Sequence, residues 1–194
     1  MIYPEVLLLP ILMLSDYYLT IFSYVLFNKK YSEYVRFEQY ELNPRFQKAI
    51  NKKEIINVKH LCATLIITGF AIYIAEISPV PHEFVSVILG CLLTIFSVVV
   101  GRHIANILLF VYVIKNPNTI KGKIEYTYEA TIFISMFYSL IPLIALIIIC
   151  IYERSLFALG SILGIGSLIL AHFRFLKKMK QKKSKMRNPD SVGI

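Results

Sequence analysis

FVSVILGCLLTIFSVVVGRHIANILLFVYVI, residues 84–114, is apolar almost from end to end. At 1.5 Å per residue a helix of this length extends roughly 46 Å, well beyond the ~30 Å hydrocarbon core of a bilayer. The stretch predicts a membrane-crossing helix that tilts or projects into the cytoplasm. Four further runs of similar character follow from the same reading, at 2–27, 58–78, 130–152 and 155–176. Hydrophobic residues make up 57% of the chain, against roughly 45–50% for a soluble domain. Mean hydropathy is +0.64. The expected fold is therefore all-α: an integral membrane bundle of five transmembrane helices over residues 1–176. A polar interfacial segment, 28–57, separates the first two spans, and a basic tail, 177–194, is expected to be disordered. A four-span alternative leaves the last run in the interface. Its length and lack of charge favour five.

The first run has no basic leader and is too long for the apolar part of a cleaved signal, so it reads as a retained helix. Pro4 suits a first turn, whereas Pro10 predicts a kink. Pro79 and Pro81 stop one helix and start the next. Asn116-Pro117-Asn118 ends the third span, Pro142 lies inside the fourth, and Glu153-Arg154 leaves only a short turn before the fifth.

Net charge is +9. The placement of that charge argues against nucleic acid, because the basic residues flank the apolar runs. Segment 28–59 holds eight Lys and Arg, the 79–83 connector none, the 115–129 loop three, the 153–154 turn one, and the end from Arg174 eight. Five spans put the eight, three and eight on one side. The positive-inside rule makes that side cytoplasmic, with the N-terminus outside and the C-terminus in the cytoplasm. The chain is expected to be a multi-pass protein of the cell membrane whose cytoplasmic face holds anionic lipid. Cys62, Cys91 and Cys150 stand alone in apolar runs, which points to packing rather than to zinc or disulfides.

Ionisable groups inside spans carry the most information, because lipid burial costs several kcal/mol unless they are paired or wetted. Asp16 lies mid-way along span 1, and Arg102 and His103 lie past the middle of span 3. Asp16, Thr20 and Ser23 share one helix face. Arg102 and His103 share another with Asn106. Spans 1 and 3 run in the same direction, so the faces are expected to meet, with Asp16 partnered by Arg102 or His103. Such a cluster either fixes helix register or works as a proton relay or general base. A metal site would need Asp16, His103 and a Glu from 28–57. No metal-binding motif supports it, and metal and cofactor stay open. His60 and His172 sit at cytoplasmic span ends and read as interfacial.

A second feature is FEQYELNPRF, residues 37–46, with Glu38, Glu41, Asn43 and Pro44. Asn-Pro marks a turn, and the flanking aromatics and charges suit a headgroup interface. The alternative is a re-entrant piece that brings Glu38 or Glu41 to the inner mouth of the bundle. Asp16-Tyr-Tyr-Leu-Thr20 followed by Glu41-Leu-Asn43-Pro44 resembles a family of small polytopic prokaryotic membrane proteins. They carry Asp-x-x-x-Thr in the first helix and Glu-x-Asn-Pro after it. The resemblance covers about the first quarter of the chain, and the gap between the motifs is long here. It implies no activity. It implies only that Asp16, Thr20, Glu41, Asn43 and Pro44 form a unit.

A third feature is spacing of small residues. Gly160 and Gly164, then Ser167 and Ala171, line span 5, and Gly90 and Thr94 belong to a similar stripe in span 3. Such stripes let helices pack closely, within one bundle or across a homo-oligomer seam. No catalytic or nucleotide motif stands out, and the reading leans away from an enzyme. Three functions remain: a small channel or transporter-like protein, an accessory subunit with a membrane-complex partner, and an intramembrane enzyme using Asp16, His103 and Glu41 or Glu38.

Overall fold

The structure, a computed structural model, describes residues 3–29, 31–37 and 44–187. Five helices in it are long and apolar enough to cross a membrane: Pro4–Lys29, Val58–Ile77, His82–Lys115, Tyr128–Glu153 and Leu156–Gln181. The first opens with a 3₁₀ turn, Pro4–Leu7, and continues as α1, Leu8–Lys29. Pro10 is the third residue of α1. It lies just past the 3₁₀ turn whose carbonyls accept the Leu8 N–H, and it leaves the Val6 carbonyl four residues back without the N–H donor that another residue would supply.

Helix α2, Pro44–Asn51, lies within the segment expected at the interface, and Pro44 takes the first helical position, which suits proline. Its Ala49 and Ile50 are buried. Helix α3, Val58–Ile72, is capped by the Asn57 side chain, which accepts the His60 N–H at 3.1 Å. It ends in a π-helical turn, Tyr73–Ile77. Helix α4 is His82–Lys115 and α5 is Tyr128–Glu153, the latter capped by Thr127. Pro142 sits inside α5, so the Tyr138 carbonyl four residues back lacks its usual N–H donor. Arg154 turns the chain in a left-handed conformation, φ 50°, into α6, Leu156–Arg187.

Two findings differ from the sequence reading. A short parallel ladder joins β1, Val35–Phe37, to β2, Ile124–Tyr126, pairing Val35 with Ile124 and Phe37 with Tyr126. Three-residue strands carry too little periodicity to be read from sequence. The tail expected to be disordered from 177 instead continues α6 as far as Arg187. No Gly or Pro interrupts residues 171–187, lysine is a good helix former, and basic side chains suit a helix C-terminus. Residues 188–194 lie outside the described part.

Helix α4 is central. It packs along α6 on one side and α1 on the other, and α5 rests on α6. Contact between α4 and α6 is close because it is made through glycine. A Cβ on Gly90 would strike the Phe157 carbonyl, and one on Gly160 would strike the Val87 carbonyl. At Gly164 it would lie 2.6 Å from the Cys91 carbonyl oxygen. Thr94 donates to Ser161 at 2.7 Å across the same seam. Gly160 and Gly164 therefore pack within the bundle, and the homo-oligomer reading does not hold for these two. Ser167 and Ala171 are exposed.

Helices α1 and α4 lie side by side in the same direction. Tyr3 meets His82, Thr20 meets His103 and Phe27 meets Phe110. A buried cluster including Val6, Leu9, Met13, Val85 and Leu89 closes one end of this contact. A second, including Phe27, Tyr31, Phe110 and Val113, closes the other. The polar centre lies between them.

Candidate functional site

Asp16 of α1 and His103 of α4 form an ion-pair contact, Nε2 to Oδ1, at 3.0 Å. The His103 side chain is 10% exposed and that of Asp16 is 26%. Of the two partners that the sequence offered Asp16, the structure brings His103 to its carboxylate.

Thr20 determines how His103 is used. Its hydroxyl donates to the Asp16 backbone carbonyl at 2.7 Å, one turn back. A hydroxyl has one proton, so Thr20 Oγ1 meets His103 Nε2, 3.0 Å away, as an acceptor. Nε2 therefore carries a hydrogen shared between Asp16 Oδ1 and Thr20 Oγ1, an assignment made from the hydrogen-bond network. Nδ1 is buried and has no hydrogen-bond partner among the described residues. It holds a lone pair when the ring is neutral and a second N–H when it is protonated. A carboxylate on one nitrogen and an open second nitrogen is the arrangement of a proton acceptor or relay.

The pair sits between two cavities. One, of about 270 Å³, is bordered by Asp16, Thr20 and His103 together with α2 and α3, through Phe46, Ile50 and His60. The other, of about 180 Å³, is bordered by Thr20, Arg102, His103 and Asn106 together with α5 and the strand pair. Arg102 borders both and donates to Ser135 Oγ of α5. Asp16, Thr20, Arg102, His103 and Asn106, named from sequence, are thus brought to one place.

Some residues were misread or missed. His60, expected at the interface, is buried by its own chain. It is 9% exposed, its Nε2 lies 3.0 Å from the Met13 carbonyl, and its ring stacks on Tyr17 at 4.8 Å. The docking of α2, whose Phe46 meets the same imidazole edge-on, is what covers it. His172 is half-buried in α6. Ser135 and Ser139 are buried on α5, and Thr131 borders the smaller cavity. Their i, i+4 spacing was a legible signal of a third polar face.

Pro44 opens α2, whereas Glu38, Glu41 and Asn43 fall outside the described residues, so the carboxylate that the enzyme reading requires is not placed. Among the described residues no group of three His, Cys, Asp or Glu is arranged to hold a metal ion. No protein-family model, curated protein or solved structure matches the chain.

Proposed function

We propose that the chain is a five-span integral protein of the cell membrane, N-terminus outside and C-terminal helix in the cytoplasm, that moves protons or a small polar species through the Asp16–His103 centre. Several observations support the orientation. Nineteen of the 21 basic residues fall on one side of a five-span arrangement. Spans 1 and 3 must then run in the same direction, as α1 and α4 do. Lysines on the inner face would hold anionic lipid.

The observation that carries the functional reading is the state of His103. It is buried in an apolar bundle, held through Nε2 by Asp16 and Thr20, open at Nδ1, and in contact with a cavity on either side. Burying ionisable groups at membrane depth costs several kcal/mol, and groups retained there mark proton and ion paths. The cavities are small, so the species that moves is small. A second reading, an accessory subunit in which Asp16–His103 only pins helix register, has in its favour that Nε2 is fully engaged.

Proton flux into liposomes separates the two. Purified protein is reconstituted with a trapped pH dye, and a potassium gradient with valinomycin supplies the driving potential. Wild-type liposomes are expected to change internal pH at least tenfold faster than empty ones. The folded double variant D16N/H103Q should fall to the empty rate. Wild-type flux no faster than that of empty liposomes, or flux retained by the double variant, contradicts the relay and leaves the accessory role.

A further inference from the structure

The two cavities differ in charge. Arg102 borders both, but among the described residues no Asp or Glu borders the smaller, whereas Asp16 also borders the larger. The polar lining of the smaller includes further donors, the Asn106 amide and the hydroxyls of Ser135, Tyr31, Tyr126 and Tyr138, whereas the Thr20 and Thr131 hydroxyls donate to backbone carbonyls one turn back. Tyr31 lies beyond the end of α1, and burial pushes its phenol above the usual tyrosine range, with the neighbouring Tyr126 and Tyr138 adding to the effect. It remains a neutral donor. The other walls are carbon, from Phe37, Leu109, Phe110 and Ile134. At about 180 Å³ the space is below the ~300–1,000 Å³ of a pocket for a drug-sized molecule. It suits a head group with the start of an apolar body.

We infer that this cavity binds the oxyanion head of a small amphiphile, a carboxylate or phosphate monoester on a short apolar chain, with Arg102 as the counter-charge. The inference rests on the reading of the interior polar centre as a working site. A guanidinium presents a planar fork of N–H donors that matches such an oxyanion, and aromatic walls match an alkyl or aryl body. The site is bordered by Tyr31, β1 and β2, which belong to the segments assigned to the cytoplasm, so the ligand enters from that side. It is either a free cytoplasmic anion or the head group of an inner-leaflet lipid.

The full chain in phosphatidylcholine nanodiscs is titrated with hexyl phosphate and hexanoate, with hexanol and hexylamine as controls, and thermal unfolding is followed. Both anions should raise the melting midpoint by several degrees and saturate, and neither control should. R102Q should weaken the apparent Kd at least tenfold. If R102Q does not fold, Leu109→Trp decides, because it keeps the charge and fills the space, and it should abolish the shift. Nanodiscs containing phosphatidylglycerol distinguish the source: a lipid occupant removes the response to hexyl phosphate, and a free anion leaves it intact. No response to either anion in phosphatidylcholine, an equal response to hexanol, or a response kept by R102Q or Leu109→Trp overturns the inference. Proton flux without anion binding sinks this inference alone. Anion binding without flux sinks the relay and leaves this site standing.

Discussion

At His103, Asp16 fixes the imidazole and Thr20 decides which nitrogen is spent on it. Removing one member of a buried ion pair leaves the other unpaired, at a cost of about 3–5 kcal/mol. Removing both leaves no uncompensated charge. D16N and H103Q are each expected to lower stability by about 3 kcal/mol, and D16N/H103Q should recover at least 1 kcal/mol of the summed loss, read as a double-mutant cycle of unfolding in detergent. Strict additivity would show that the two residues are not coupled. The residues of this centre were legible because charge stands out in an apolar run and because Asp16 and Thr20 share a face. Which of Arg102 and His103 meets Asp16 was not legible. Adjacent residues on a helix differ by about 100° in direction, so the choice depends on the rotation of α4 about its axis. That rotation is set in part at Gly90, more than three turns away, where α4 meets α6.

The α4–α6 contact depends on hydrogen atoms standing where side chains would be. G160A places a methyl group against the Val87 carbonyl and is expected to destabilise by about 1–3 kcal/mol, the usual cost of overpacking. G166A meets nothing within 4 Å and serves as the control. It should be neutral or stabilise by up to ~1 kcal/mol through helix propensity. Chemical unfolding of both variants in the same detergent checks the pair, and equal midpoints would contradict the packing described. The long apolar helices were largely legible: 130–152 was expected and a helix Tyr128–Glu153 is found. Their ends were less so, because a helix stops where caps and breakers act, not where apolarity ends. Thr127 starts α5 two residues early, and the lysine-rich end of α6 continues well past its apolar run. The docking of α2 over His60 depends on contacts between distant segments, which local spacing does not report.

For the molecule as a whole, the proposed depth of the Asp16–His103 pair and the proposed side on which the smaller cavity opens both rest on five crossings. In a bundle of this kind apolar side chains such as Ile11, Phe22, Leu65, Ile141 and Leu163 face outward, as lipid contact requires. An odd number of crossings places the two ends of the bundle on opposite faces, and an even number places them on the same face. Single cysteines at Val80 and Lys178, in a background without Cys62, Cys91 and Cys150, are therefore labelled in intact cells with a membrane-impermeant maleimide. Five crossings predict that V80C is labelled from outside and that K178C is labelled only after the cytoplasmic face is opened. Labelling of both from the same face would contradict the five-span topology and the orientation built on it.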